Sequence, residues 1–246
     1  MSETQPVMLL TGASRGIGHA TVKLFQERGW RLLTVSRQPF SPLCRWQNAR
    51  ESHVQADLGD LASIPALAAE VRGRLADGKL HALVNNAGIS PKGPNGQRLG
   101  VMASDAALWT QVLNVNLIST ALLVRELMPE LERAGGSIVN VTSIAGSRVH
   151  PFAGVAYAAS KAALAALTRE MAHEFGGRGV RTNAIAPGEI DTAILSAGTD
   201  ALVAAEVPMK RLGTPREVAE TIYYLCTPAS SYVNGAEIHI NGGQHV

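Results

Sequence analysis

The chain has 246 residues, of which 46% are hydrophobic and 17% charged, so it can bury one substantial core and is predicted to form a single α/β domain over residues 1–246. Its 22 lysines and arginines nearly balance its 20 aspartates and glutamates, and a formal charge of +2 gives no reason to expect a nucleic-acid or membrane surface. This composition excludes a disordered or fibrous protein and favours a small-molecule partner.

Short apolar runs typical of strands alternate with segments of helical periodicity along the whole chain. The predicted strands cover residues 7–11, 31–36, 53–58, 82–88, 137–143, 182–187 and 237–242, and the predicted helices cover residues 16–28, 63–76, 106–133, 157–175 and 215–226. Residues 38–52 and 89–105 are rich in loop-forming residues and are predicted to be loops. Because the alternation implies right-handed βαβ crossovers, we predict a Rossmann-like, doubly wound parallel sheet of about seven strands with helices on both faces.

The first predicted strand runs into the sequence TGASRGIG, residues 11–18. Gly12 lies where the strand must turn sharply, Gly16 would let the backbone approach a pyrophosphate, and Gly18 would let helix and strand pack closely. The spacing differs from the common GxGxxG, and a glycine-containing βα turn without a ligand is the alternative for this motif taken alone.

Further motifs follow this turn in order. They are Asp57-Leu58, NNAG at 85–88, Asn116-Leu117, Ser143, YAASK at 157–161, PGEIDT at 187–192 and the terminal INGG at 240–243. With them the chain resembles the short-chain dehydrogenase/reductase superfamily in its typical NADP-preferring form, and is similar to 3-oxoacyl carrier-protein reductases. The resemblance covers nearly the whole chain and implies hydride transfer between a nicotinamide cofactor and a carbonyl or secondary alcohol.

Carbonyl reduction explains the residue types at the predicted catalytic site. Negative charge develops on the carbonyl oxygen as hydride arrives, so a proton donor must stand beside it, and Tyr157 is the candidate. Lys161 follows four residues later, one helical turn away on the same face. Its positive charge is expected to lower the pKa of the Tyr157 phenol, which is ordinarily about 10.

The resemblance implies three further roles at this site. Lys161 would hydrogen-bond the nicotinamide ribose, Ser143 would donate to the substrate oxygen, and Asn116 would hold a water in a proton relay through Lys161. A structural alternative exists for each residue: Tyr157 and Lys161 as surface side chains, Ser143 as a strand cap, and Asn116 as a partner of the backbone.

The end of the second predicted strand bears on cofactor choice, because an NAD enzyme needs a carboxylate there for the ribose 2′-hydroxyl. The chain has Val35-Ser36-Arg37 instead, and Arg37 with Arg15 would form charge-assisted bonds to a 2′-phosphate. NADP(H) is therefore predicted over NAD(H), with solvated arginines as the alternative. The resemblance places the other cofactor contacts at Gly12, Ser14, Gly16, Ile17, Gly18, Asp57, Leu58, Asn86, Ala87, Gly88, Tyr157, Lys161, Pro187, Gly188, Ile190 and Thr192.

Candidate substrate contacts come from the loop after Ser143 and from the residue after Pro187-Gly188, and they are Ala145, His150 and Glu189. A structural or solvated role is the alternative for His150, and a solvent-facing carboxylate for Glu189. Glu189 replaces an apolar or small residue often seen in the family, and a buried carboxylate beside an acyl chain would carry a desolvation cost. Residues 129–136 also lack the basic cluster expected for docking an acidic carrier protein.

We therefore expect a small or medium ketone, sugar or hydroxy compound as the substrate. A 3-oxoacyl carrier-protein reductase is the alternative among enzymes. A non-catalytic, dinucleotide-binding redox sensor is the alternative from another class, although such proteins tend to lose the donor tyrosine.

Cysteine usage and the N-terminal sequence bear on location and assembly. Cys44 and Cys226 show neither CxxC nor metal-ligand spacing, which predicts reduced thiols and no metal site. The first ten residues, MSETQPVMLL, have no signal-peptide pattern, and no apolar run reaches the roughly 18 residues of a membrane span. We expect a cytoplasmic protein, and the resemblance implies a homotetramer or dimer.

Overall fold

A computed structural model describes residues 5–39, 51–192, 195–196 and 198–246. Cys44 and most of the loop predicted at 38–52 lie outside these ranges. The strands are β1 (Val7–Thr11), β2 (Arg31–Ser36), β3 (His53–Gln55), β4 (Ala82–Asn85), β5 (Ser137–Val141), β6 (Arg181–Pro187) and β7 (Glu237–Ile240). The α-helices are α1 (Gly16–Glu27), α2 (Ile64–Gly73), α3 (Ala106–Leu113), α4 (Ser119–Ala134), α5 (Val155–Gly176), α6 (Thr199–Glu206) and α7 (Pro215–Cys226).

The seven strands form one sheet in the order β3-β2-β1-β4-β5-β6-β7, with every neighbouring pair parallel. The chain first builds outward from β1 to β3 and then returns to place β4 on the other side of β1. The reversal creates a crevice outside the carboxyl ends of β1 and β4, where ligands bind in open α/β sheets. The predicted single-domain, doubly wound fold is confirmed.

Both faces of the sheet are covered, which explains why its central strands are almost wholly apolar. Successive β1 residues point to opposite faces, so Leu9 joins the core cluster under α2 and α4, while Met8 and Leu10 join the one under α1 and α7. On the α1–α7 side, the Phe25 ring meets Trp30 and Tyr223 edge to face at centroid distances of 5.1 and 5.2 Å. These two cores hold the carboxyl edge of the sheet rigid.

The predicted strands match the observed ones, except that several end earlier than predicted. The strands predicted at 53–58, 82–88 and 137–143 end at Gln55, Asn85 and Val141. In each case the chain leaves the sheet at its carboxyl edge, and Asp57, Asn86 and Ser143 lie in the segments beyond that point. The short helix α6 was not predicted, since it lies in a segment without a clear helical period.

The helix predicted at 106–133 is divided by a π-helical segment, Asn114–Ile118, between α3 and α4. The run Ala106–Ala134 contains an 18-residue window with a mean hydropathy of 1.5, and by length and composition it could cross a membrane. Leu123, Leu127 and Leu131 are nevertheless buried in the core cluster that includes α2 and β1. Packing within the domain thus accounts for the apolar side of this helix.

Candidate active site

The glycine-rich turn between β1 and α1 needs its glycines for space. A Cβ on Gly18 would lie 2.2 Å from the main-chain oxygen of Gly12, and one on Gly12, at φ +73°, would lie 2.8 Å from the Ala87 Cα. The structure therefore supports the predicted roles of these residues in packing α1 and β4 tightly against the turn.

The N-terminus of α1 opens toward the same crevice. Arg15 precedes the helix in an extended conformation and gives it no side-chain cap, so the first N–H groups lack a side-chain acceptor. A Cβ on Gly16, at φ +56°, would come within 3.3 Å of the Thr192 methyl carbon, which shows that the segment after Gly188 closes over the turn. A capless helix end facing a narrow glycine-lined gap fits a dinucleotide pyrophosphate.

Asn86 has a bracing role in the structure. Its Nδ2 donates to the main-chain oxygens of Thr11 and Gly12 at 3.0 and 2.9 Å, and its backbone N–H donates to Thr11 Oγ1 at 3.1 Å. The side chain of Asn86, which was expected to be a cofactor contact, thus ties β4 to β1 at the switch point. The neighbouring Ala87 N–H also bonds Thr11 Oγ1, at 3.1 Å.

A cavity of about 540 Å³ lies next to the turn, at the carboxyl ends of β2 and β3. It is lined by Arg37, Asp57, Gly59, Ala106, Ala107, Thr110, Gln111, Asn114 and Val115. Arg37 and Asp57, both expected to contact the cofactor, line this cavity, whereas the Leu58 side chain is buried in the core. Arg15 is exposed beside the glycine-rich turn and does not line this cavity.

Ser143 and Tyr157 meet at the carboxyl end of β5. Ser143 follows the strand, and its Oγ accepts the Ala145 N–H at 3.2 Å, which fixes the following 3-10 turn. Burial raises the pKa of Tyr157 above its ordinary value, a hydrogen bond with the Ser143 side chain lowers it, and the negative charge of Glu189 raises it further. In the protein chain alone, desolvation outweighs the Ser143 bond, so the net pKa of the Tyr157 phenol is raised and the expected lowering is not seen.

Lys161 lies one turn further along α5, with its Nζ 5.7 Å from the centre of the Tyr157 ring. The side chain is buried, 3% exposed, and Nζ donates to the main-chain oxygen of Val141 at 2.6 Å. Burial lowers the pKa of Lys161 to about 8. The lysine is therefore a desolvated ammonium tied to β5, and the surface alternative is excluded.

Asn116 lies in the π-helical segment and is almost completely buried, 1% exposed. Its Oδ1 accepts the Ile89 N–H at 2.8 Å, while its Nδ2 donates to the Ile89 oxygen and to Ser160 Oγ, each at 3.0 Å. The side-chain amide of Asn116 is thus hydrogen-bonded to the backbone, which is the structural alternative given for this residue. A Cβ on Gly88 would nevertheless lie 3.5 Å from Asn116 Oδ1 and 3.4 Å from Lys161 Nζ, so the asparagine and the lysine share one small space.

The π-helical segment escaped prediction, and such turns frequently mark functional sites in helices. It widens the helix where Asn116 reaches back toward Ile89 and Ser160. Residues 106–133 keep a regular helical period, so the local sequence pattern does not indicate the π-helical segment.

The predicted substrate residues occupy the other side of Tyr157. His150 and Glu189 come from two different loops, and their Nε2 and Oε1 atoms lie 2.5 Å apart, with side chains 11% and 8% exposed. The solvent-facing alternative for Glu189 is therefore wrong. Ala145 is buried beside Ser143.

Lys92 belongs to this group and was not predicted. Desolvation lowers the pKa of its ammonium, and the nearby Glu189 carboxylate raises it. The sequence predicted only that Lys92 lies in the loop 89–105, and no local pattern indicates that residue 92 approaches residue 189.

Backbone bonds set the position of the segment after β6. Gly188 N–H donates to the Ile240 oxygen at 3.0 Å, and Gly213 N–H donates to the Glu189 oxygen at 2.9 Å. A further bridge joins Ile190 to Gly213. The loop from Pro187 to Thr192 is thereby held between the glycine-rich turn and the substrate side.

Comparison with known proteins agrees with this arrangement. The family model described as Enoyl-(Acyl carrier protein) reductase matches residues 12–245. Protein FixR of Bradyrhizobium diazoefficiens is 58% identical over 98% of this chain and 87% of its own length. A short-chain dehydrogenase/reductase family oxidoreductase of Brucella ovis, solved with a partially ordered NAD, is 56% identical, has a TM-score of 0.84, and the match covers 96% of this chain and 100% of that one.

A 3-oxoacyl-[acyl-carrier protein] reductase of Brucella melitensis is 33% identical, with a TM-score of 0.89 over 100% of this chain and 93% of its own. The combination of fold, glycine-rich turn and whole-length similarity supports a nicotinamide dinucleotide cofactor and chemistry on CH–OH and C=O groups. The chain therefore belongs to the short-chain dehydrogenase/reductase superfamily of oxidoreductases, close to the 3-oxoacyl-[acyl-carrier-protein] reductases.

Proposed function

We propose that the protein is an NADP(H)-dependent reductase or dehydrogenase of small or medium ketones and secondary alcohols. The observation that carries this proposal is the contact between Ser143 and Tyr157 at the end of β5, with the ammonium of Lys161 buried behind the Tyr157 ring. A proton donor, its hydrogen-bond partner and a buried cation thus converge beside the crevice.

In this proposal Tyr157 transfers a proton between its hydroxyl and the reacting oxygen, and Ser143 holds that oxygen in place. Lys161 favours the phenolate when the proton leaves, because its positive charge lies 5.7 Å from the ring centre. Asn116 acts as a positioning residue, since its side chain locks Ile89 and Ser160 around the lysine. A bound nicotinamide dinucleotide supplies or accepts the hydride.

The residues around the crevice would hold that cofactor. Gly12, Gly16 and Gly18 with the free end of α1 would bind the pyrophosphate, and Thr192 would close over it. Asp57 and the cavity beside it would take the adenosine, and Lys161 with Tyr157 the nicotinamide ribose.

Preference for NADP(H) rests on Arg37. It lines the cavity and follows β2 in the sequence Val35-Ser36-Arg37, which has no carboxylate to receive a ribose 2′-hydroxyl, and its guanidinium would pair with a 2′-phosphate. The Brucella ovis relative was solved with NAD. The ratio of kcat/KM for NADPH and NADH, measured with one ketone, decides between the two cofactors.

The proposed activity is tested by following NADPH oxidation with a panel of ketones and NADP reduction with the matching alcohols. Replacing Tyr157 by Phe should reduce kcat/KM by about 100-fold to 10,000-fold, the contribution of a positioned acid or base. If the protein turns over no substrate of the panel, or if the Tyr157→Phe variant keeps full activity, the proposal fails.

A 3-oxoacyl thioester reductase is the second candidate, supported by the whole-length similarity to the Brucella melitensis 3-oxoacyl reductase. Acetoacetyl thioesters of a carrier protein and of a short pantetheine fragment distinguish this activity from simple ketone reduction. A kcat/KM for the carrier-bound thioester far above that for free ketones would establish it.

We also propose that the protein acts in the cytoplasm as a homotetramer or dimer. Helix α5 exposes Ala159, Ala162 and Ala166 on one face, and small residues permit the close approach of a second helix. Light scattering coupled to size exclusion measures the oligomeric state, and replacing Ala162 by Glu should dissociate an assembly that is packed through this face.

A further inference from the structure

The pair formed by His150 and Glu189 is the strongest polar feature next to Tyr157 that the proposed proton transfer does not use. His150 lies in the loop between Ser143 and α5, and Glu189 lies two residues after the end of β6. The two side chains are 39 positions apart in sequence and are in contact at 2.5 Å, both nearly buried. A buried carboxylate costs free energy unless its oxygens are hydrogen-bonded, so its place here calls for an explanation.

The hydrogen bonds determine which imidazole nitrogen carries the proton. Phe152 N–H donates to His150 Nδ1 at 3.3 Å, so Nδ1 acts as an acceptor. The other nitrogen, Nε2, then carries hydrogen and donates to Glu189 Oε1. A neutral His150 satisfies both bonds, and the pair as a unit keeps the negative charge of Glu189.

Lys92 lies near Glu189, but among the residues that the structure describes the two make neither a hydrogen bond nor an ion pair. Its Nζ donates to the main-chain oxygen of Phe152, so the same residue orients both His150 and Lys92. Within the described residues, Oε1 of Glu189 is bonded by His150 and Oε2 receives no hydrogen bond. The carboxylate therefore retains one acceptor oxygen.

Glu189 lies close to the proposed proton donor. It follows β6, the strand that pairs with β5 just before Ser143, and its partner His150 lies in the loop that leads to Tyr157. The negative charge of Glu189 raises the pKa of the Tyr157 hydroxyl and of the Lys92 ammonium, which agrees with this placement. A substrate whose carbonyl lies against Tyr157 and Ser143 would therefore present its neighbouring atoms to Glu189. Apolar atoms there would leave Glu189 Oε2 desolvated and without a hydrogen bond, whereas a hydroxyl or ammonium group would donate one to it.

We propose that Glu189, oriented by His150, selects substrates that carry a hydrogen-bond donor, a hydroxyl or a protonated amine, near the reacting carbonyl. This inference rests on the proposed function, because it assumes that Tyr157 and Ser143 receive the carbonyl. It narrows the substrate class to polar carbonyl compounds and excludes plain acyl chains as good substrates.

Matched ketones test the proposal. In 4-hydroxybutan-2-one and pentan-2-one a hydroxyl replaces a methyl group, and in 4-(dimethylamino)butan-2-one and 5-methylhexan-2-one a protonated amine replaces a CH group. The ratio of kcat/KM within each pair is measured for the wild-type chain, Glu189→Leu, Glu189→Gln and the control Glu206→Gln. Glu206 is a half-exposed carboxylate paired with Arg148. Because each ratio compares two substrates on one enzyme, partial unfolding of a variant cancels.

The wild-type chain should favour at least one donor-bearing ketone over its apolar match by about tenfold to 100-fold, the range expected for a hydrogen bond to a charged group. Glu189→Leu should abolish that advantage, Glu189→Gln should reduce it, and Glu206→Gln should leave it unchanged. A larger ratio in the hydroxyl pair identifies a hydroxylated substrate, and a larger ratio in the amine pair a cationic one.

Two results overturn the inference. A chain that reduces the apolar ketones as well as their donor-bearing matches, or whose preference survives in Glu189→Leu, refutes the selection by Glu189 while leaving the proposed function intact. A chain that reduces none of the four ketones refutes this inference, and the proposed function fails with it only if the wider panel of ketones and alcohols is also inactive.

Discussion

Lys161 and Val141 are joined by a hydrogen bond in which the lysine Nζ donates to the main-chain oxygen at 2.6 Å, inside the domain. The bond ties helix α5 to the end of strand β5, so the proposed proton donor Tyr157 and its partner Ser143 are held by the same contact. Burial of the charged Lys161 side chain destabilises the folded protein, since desolvation lowers the pKa of Lys161 to about 8 from an ordinary value near 10.5. Part of the stability of the fold is thus given up to keep a cation beside the Tyr157 ring.

The buried Lys161 should make stability depend on pH. Between about pH 8 and 10.5 the folded lysine is neutral and the unfolded one still charged, so the unfolded state binds more protons and stability rises with pH. Across this window the free energy of unfolding of the wild-type chain should rise by about 3 kcal/mol relative to that of Lys161→Met. The figure follows from a pKa difference of about 2.5 at about 1.4 kcal/mol for each pKa unit. Chemical denaturation at several pH values measures the difference.

Lys23 supplies the control for this experiment, because it is an exposed lysine on α1. A Lys23→Met variant should follow the wild-type pH dependence. If the difference in free energy of unfolding between wild type and Lys161→Met does not change from pH 8 to 10.5, Lys161 keeps an ordinary pKa in the folded chain.

Replacing Gly18 by Ala should damage the turn that the cofactor is proposed to occupy. The added methyl group would lie 2.2 Å from the Gly12 oxygen, so α1 must move away from β1. We expect NADPH and NADH to bind at least about tenfold more weakly, measured by fluorescence titration, and the free energy of unfolding to fall by about 1–3 kcal/mol.

Gly73→Ala is the matched control, since the Cβ added at the end of α2 meets no atom within 4 Å. It should leave dinucleotide binding unchanged and stabilise the helix slightly. Equal dinucleotide affinity in the Gly18→Ala and wild-type chains would contradict the placement of the pyrophosphate at this turn.

Replacing Arg37 by Asp should reverse the cofactor preference. The change removes the cation from the cavity and introduces a carboxylate that accepts from a 2′-hydroxyl and repels a 2′-phosphate. The ratio of kcat/KM for NADPH over NADH should fall by about tenfold to 100-fold, from the loss of a hydrogen bond to a charged group.

Arg125→Asp serves as the control for charge, because Arg125 is an exposed arginine on α4 paired with Glu126. It should leave the cofactor ratio unchanged. A ratio that responds equally to both variants would show that net charge, rather than Arg37 in the cavity, sets the preference.

Replacing Ser143 by Ala should slow the reaction and shift its pH profile. The hydrogen bond from Ser143 lowers the pKa of Tyr157, so its loss raises that pKa, and the alkaline rise in the rate of alcohol oxidation should move to higher pH. We expect kcat/KM to fall by about 100-fold.

The control Ser147→Ala removes an exposed hydroxyl that bonds the Ile144 oxygen in the same loop. It should keep both the rate and the pH profile of the wild type. An unshifted profile in Ser143→Ala would show that the two side chains are uncoupled in the active enzyme.

The local sequence pattern was sufficient to predict the architecture of this protein. Strand and helix periods, the glycine spacing at 11–18 and the four-residue step from Tyr157 to Lys161 are properties of neighbouring residues, and they predicted the sheet, the turn and the shared helix face. Because parallel strands end at one edge, the same pattern also brought Ser143 and Pro187 to the crevice.

Only the tertiary structure decided how the site residues are used. The contact between His150 and Glu189 joins two loops, Asn116 is held by Ile89 through a π-helical turn, and the pKa of Tyr157 moves up. Each of these features depends on the distance between segments that are far apart in sequence and on the desolvation of groups packed between them. Sequence periodicity gives no information about distance or desolvation. Neighbouring residues in the sequence thus predicted the candidate Tyr157 and Lys161 pair, whereas the contact between Glu189 and His150 became visible only in the folded chain.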